Sequence, residues 1–134
     1  MFNRKKAAPQ KRIDSLIGAG TTVEGDVTFA GGLRVDGTVR GHVATADKQP
    51  ATLVVSELAT IEGEIRVSHV VINGAVDGPV IANDYLELQA KARVNGDVTY
   101  RTLEMHVGAI VQGKLVHAEQ GSAAIVELKR AMGE

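Results

Sequence analysis

VEGDV at residues 23–27, VRGHV at 39–43, IEGEI at 61–65, VDGPV at 76–80, VNGDV at 94–98 and VQGKL at 111–115 are six copies of one pentapeptide, apolar-x-Gly-x-apolar. Their central glycines, Gly25, Gly41, Gly63, Gly78, Gly96 and Gly113, follow one another at steps of 16, 22, 15, 18 and 17 residues. Self-similarity at a nearly fixed period marks a stacked architecture, in which each unit buries its apolar face only against its neighbours. The one long step contains the polar, proline-bearing stretch TADKQP before Leu53, which reads as a loop inserted into a single unit.

Around each glycine the apolar positions alternate with period two. Thr21, Val23, Gly25, Val27 and Phe29 fall on one side of the first unit; Ala59, Ile61, Gly63, Ile65 and Val67, and Ala92, Val94, Gly96, Val98 and Tyr100, do the same further on. The positions between them are mostly polar, among them Glu24, Asp26, Glu62, Glu64, Asn95 and Asp97. Period two means strands. Further short strands are expected at Leu33–Val35, Leu53–Val55, Val70–Ile72, Leu86–Leu88 and Leu103–Met105.

Several strands in a coil of 17 or 18 residues, repeated six times, describe a parallel β-helix whose strands stack on their counterparts one coil away. At about 4.8 Å per coil, six coils make a rod about 29 Å long. The recurring glycine suits a tight corner between two strands, where a Cβ would clash or φ must be positive. Hairpin glycines of a β-sandwich are the competing reading, but sandwich strands do not repeat a five-residue motif at such regular spacing.

Composition agrees. Aromatic residues are 3% of the chain against 44% apolar overall, so the core is built from Val, Ile, Leu and Ala, which suits a narrow interior. At 134 residues the chain has room for one such domain. The absence of cysteine removes disulfide scaffolds, thiolate metal sites and cysteine nucleophiles and fits a reducing compartment. With no run of about 20 apolar residues and no secretory signal, the sequence reads as cytoplasmic.

Charge is segregated. Five of the fifteen basic residues, Arg4, Lys5, Lys6, Lys11 and Arg12, stand in the first twelve positions with no acid among them, leaving ten against sixteen acids in the remainder. A basic arm on an acidic body predicts an anionic partner for the arm and no nucleic acid on the body.

The ordered series IGAGTTVEGDV, GGLRVDGTVRGHV, HVVINGAVDGPV, LELQAKARVNGDVTY and LEMHVGAIVQGKL, with Met1–Phe2 and a basic tail ahead of Ile13, resembles the bactofilin family over about residues 13–117. The resemblance implies a right-handed triangular β-helix that assembles end to end into non-polar filaments without nucleotide and scaffolds factors for cell shape or the cell wall, with peptidoglycan hydrolases or synthases as possible partners. Handedness comes from the resemblance alone, since left-handed β-helices share the period. The expected organisation is a disordered basic tail over 1–12, an all-β helix over 13–118 and a disordered tail over 119–134.

A β-helix without caps exposes core and unpaired backbone at each end. Leu16, Ile17, Val23 and Val27 at one end, and Ile110, Val111, Leu115 and Val116 at the other, are the candidate contacts with further copies of the chain. Met1 and Phe2 beside Arg4, Lys5 and Lys6 combine apolar insertion with cations for anionic inner-membrane lipids. The last segment places Ile125, Leu128 and Met132 at helical spacing, but a helix this short is marginal alone.

For catalysis the signals are few. No phosphate-binding GxxxxGK[ST] occurs, and no cofactor or metal is expected. His42, His69, His106 and His117 fall at four different offsets from their preceding repeat glycine, so stacking does not align them, and none has an evident activating carboxylate beside it. The alternative is a left-handed β-helix enzyme of the trimeric acyltransferase or γ-carbonic-anhydrase type, suggested by Ile17, Val23 and Phe29 at six-residue spacing; that register fails after Phe29. Exposed Glu57, Glu87, Lys91 and Glu104 serve solubility or partner docking.

Overall fold

In the computed structural model, residues 13–46 and 49–118 are described; among them are fifteen β-strands and no helix. The expected tails, 1–12 and 119–134, lie outside the described residues. All strand pairs are parallel, and each strand stacks on its counterpart one coil away. One face of the rod holds β1 (Ser15–Ile17), β4 (Gly32–Val35), β7 (Thr52–Val55) and the second halves of β9 (Ile65–Ile72), β11 (Val80–Leu88) and β13 (Val98–Met105). The second face stacks β2 (Thr22–Glu24), β5 (Thr38–Arg40), β8 (Thr60–Glu62), β10 (Ala75–Asp77), β12 (Arg93–Asn95) and β14 (Ile110–Gln112). The third carries β3 (Val27–Phe29), β6 (Val43–Thr45), the first halves of β9, β11 and β13, and β15 (Leu115–His117). Three faces and six coils make a triangular parallel β-helix.

The core is columnar. On the second face Val23, Val39, Ile61, Val76, Val94 and Val111 stand over one another; on the third, Val27, Val43, Ile65, Val80, Val98 and Leu115 do the same. The first face supplies Ile17, Val35, Val55, Ile72, Leu88 and Met105. Buried residues in these columns are all apolar, and no polar or charged residue is buried among the described ones. The six-residue spacing of Ile17, Val23 and Phe29 turns out to mark one core residue on each of three faces of the first coil.

The glycines mark the corner between the second and third faces. A Cβ built on Gly41 would lie 2.1 Å from the carbonyl oxygen of Gly25, and one on Gly78 would lie 2.3 Å from that of Gly63. The obstruction is therefore axial: each glycine stands directly on the backbone of the glycine one coil below. Gly78 also has φ near +150°, which L side chains rarely adopt.

The residue after each glycine completes the corner. His42 donates its backbone N–H to Asp26 Oδ1 (2.9 Å), Glu64 donates its own to His42 Nδ1 (2.9 Å), and Lys114 does the same to Asp97 Oδ1 (3.0 Å). Pro79 takes this place in the fourth coil, where it has no N–H to satisfy, and the carboxylate of Glu64 below it pairs with Arg66 instead (2.6 Å).

Corners between the first and second faces are two-residue turns, as at Asp36–Gly37 and Asn73–Gly74, or four-residue turns, as over 56–59 and 89–92. The insertion expected in TADKQP lies between β6 and β7, and Ser68 fastens its end by accepting from Ala51 N (2.9 Å) and donating to Ala51 O (2.8 Å). At the remaining corner Gly31, with φ near +79°, turns the first coil, but β9, β11 and β13 run round it unbroken and without glycine, with a register irregularity between Ala82 and Tyr85.

Candidate functional site

Each sheet of this rod ends on a strand paired on one side only. β1, β2 and β3 have partners only above them, and β14 and β15 only below. Such edges are templates for another strand unless they are covered or blunted.

Side chains at the two ends follow the same logic. Val98 is fully buried, yet Leu115, one coil beyond it in the same column, is 46% exposed because nothing stacks on it. Met105 tops the column of Leu88 and is 42% exposed, and Val107 beside it is 97% exposed. Of the eight large apolar residues exposed among the described ones, Met105, Val107, Ile110, Leu115 and Val116 belong to the last coil and Ile13 and Leu16 to the first; Leu58 alone lies between. Apolar exposure is thus concentrated at the ends.

The eight sequence-predicted end residues divide by register. Ile17, Val23, Val27, Val111 and Leu115 continue the core columns and face the open ends. Leu16 is level with Arg34, Ile110 with Arg93 and Val116 with Thr99, on the outer flank of the terminal coils. Sequence reasoning missed Leu103 and Met105, although LEM at 103–105 repeats LEL at 86–88 at one coil's spacing, with both leucines of the earlier unit fully buried. The membrane candidates Met1, Phe2, Arg4, Lys5 and Lys6 lie outside the described residues.

Between the terminal coils the flanks are mostly polar and carry paired charges. Arg40 bridges Glu24 (2.8 Å) below and Glu62 (3.7 Å) above, and Lys91 meets Glu57 (3.1 Å). Exposed pairs like these add little stability, typically under about 1 kcal/mol each, but they keep the sides of the rod hydrated. Asp36 is held below its ordinary pKa by the hydrogen bond from Ser56 and then by Arg34.

One flank departs from this pattern and corrects an expectation. His106 Nε2 lies 3.0 Å from Glu104 Oε2 and 3.3 Å from Glu87 Oε2, so a histidine does sit among carboxylates. Comparing histidine offsets alone overlooked it, because the partners are a strand neighbour two positions back, on the same side of the sheet, and a glutamate one coil below. Tyr85 donates to Glu104 Oε1 at 2.5 Å; that bond lowers the Glu104 pKa, with help from His106, and pushes Tyr85 up to about 12. Gln89 Nε2 steadies Glu87 Oε2 at 3.0 Å.

No helix among the described residues is long and apolar enough to cross a membrane. Comparison with known families matches residues 15–116 to the family described as "Bactofilin: Polymer-forming cytoskeletal". Bactofilin BacO of Myxococcus xanthus is 28% identical over 102 residues, covering 76% of this chain and 78% of its own length. Bactofilin BacP of the same organism is 23% identical over 116 residues, covering 86% of this chain and 47% of its own length. No solved structure matches the chain significantly. A six-coil β-helix with apolar open ends, matched over three-quarters of its length, belongs to the bactofilin family of polymer-forming cytoskeletal proteins.

Proposed function

We propose that the chain assembles end to end into non-polar filaments, without nucleotide, on the cytoplasmic face of the inner membrane, where it positions cell-shape or cell-wall factors such as peptidoglycan hydrolases or synthases. The observation that carries this reading is the confinement, among the described residues, of exposed large apolar side chains, Leu58 apart, to the first and last coils. Contacts of like with like at both ends are isologous, and alternating two such contacts gives a filament without polarity.

Membrane binding is assigned to Met1, Phe2, Arg4, Lys5 and Lys6. Each cation near an anionic leaflet contributes about 1 kcal/mol, so the three supply about 3 kcal/mol per chain, which polymerisation multiplies through avidity. Sedimentation without nucleotide and flotation with liposomes containing anionic lipid test both halves of the reading. Full-length chain is expected to pellet alone and to float with vesicles. Deletion of residues 1–6 is expected to leave pelleting intact and to lower vesicle binding about 100-fold per chain. Retained flotation would remove the tail from the membrane role, and absence of pelleting in the full-length chain would remove the filament.

A further inference from the structure

Glu87 and Glu104 stand in register on adjacent coils, pointing outward from the first face of the rod. Like charges directly opposite one another on neighbouring strands are unfavourable. Where an arginine intervenes the stacked charges alternate, as in Glu24–Arg40–Glu62, whereas Asp77 stacks directly on Glu62 in the next coil. Here two carboxylates share a single imidazole, with Glu87 and His106 both half-buried.

The donor atoms converge. One oxygen from each glutamate and one nitrogen of His106 all lie within 4.8 Å of one another. In tetrahedral coordination at about 2.0–2.1 Å from the metal, ligand atoms are separated by about 3.3 Å. The two distances from His106 Nε2, 3.0 and 3.3 Å, already match that edge. Partners outside the set hold the ligands in place: Tyr85 occupies the other oxygen of Glu104, Gln89 donates to Glu87, and the backbone N–H of His106 is fixed on Leu88 O at 2.8 Å.

We propose that Glu87, Glu104 and His106 form a site for a divalent transition cation such as Zn²⁺, which ties the last coil to the coil beneath it. Two carboxylates and one neutral imidazole suit a borderline metal, and three protein ligands leave one position open to water. The cation replaces like-charge repulsion between coils with shared coordination. This is independent of whether the rod polymerises.

Titration of Zn²⁺ alone into the full-length chain, followed by calorimetry and by thermal melting, tests the site. Expected are one Zn²⁺ per chain and a higher melting temperature with Zn²⁺ than without, neither reproduced by Ca²⁺, which takes oxygen ligands. His106→Gln and, separately, Glu87→Gln are expected to weaken binding about 10-fold or more and to abolish the melting shift, while circular dichroism stays that of the parent. Absence of saturable Zn²⁺ binding to the unmodified chain, or binding of equal strength in both variants, would overturn the proposal. Equal Ca²⁺ binding insensitive to His106→Gln would also overturn it, leaving only a charge-screening patch.

Discussion

Leu115→Arg is expected to shorten filaments to discrete dimers. Leu115 ends a core column and is nearly half exposed in the single chain, so the substitution spares the fold. In an end-to-end contact the same position becomes buried, and an unpaired guanidinium there costs about 3 kcal/mol or more, weakening the contact by about 100-fold or more. The opposite end, with Ile17, Val23 and Val27, is untouched and still pairs with its own kind. Analytical ultracentrifugation of the variant distinguishes the arrangements. Dimers support like-to-like contacts, monomers mean that each end meets the opposite end of the next chain, and undiminished filaments would remove Leu115 from the contact.

Gly78→Ala is expected to lower stability by about 2–4 kcal/mol, combining left-handed backbone strain with overpacking. The added Cβ falls 2.3 Å from a backbone oxygen, which cannot swing aside as a side chain can, and φ near +150° is unfavourable for alanine. Gly18→Ala is the matched control, because a Cβ there meets nothing within 4 Å and its φ is ordinary. Urea denaturation of the two variants, made in a background carrying Leu115→Arg to keep the protein in small species, gives the comparison. Equal midpoints would mean that the glycine column is dispensable.

The glycine column is also where the sequence was most legible. The steps 16, 22, 15, 18 and 17 between repeat glycines are the same steps that separate paired residues on the third face, Val27, Val43, Ile65, Val80, Val98 and Leu115. A stacked fold makes this necessary: one corner per coil must clear the backbone below, and only glycine does so. Alternation around the glycine then assigned core and surface, and the columns from Val39 to Val94 and from Val43 to Val98 follow it without exception.

Less was legible at the third corner and on the flanks. Strands β9, β11 and β13 turn that corner without a break, so in those three coils no glycine or proline announces it, and short strands such as Val70–Ile72 merge into longer ones. The end residues were found only in part, because apolar character alone does not separate a flank position such as Val116 from a column position such as Leu115 in the same three-residue strand. The Glu87–Glu104–His106 group needed two periods at once, the coil of 17 residues and the strand repeat of two.

Negative-stain electron microscopy of the purified full-length chain, without nucleotide, measures the central claim most directly: that the open ends of the rod find further copies of the chain. Straight, unbranched filaments a single rod or a few rods across are the predicted result. Uniform particles of one or a few rods, unchanged as the protein is concentrated, would contradict it.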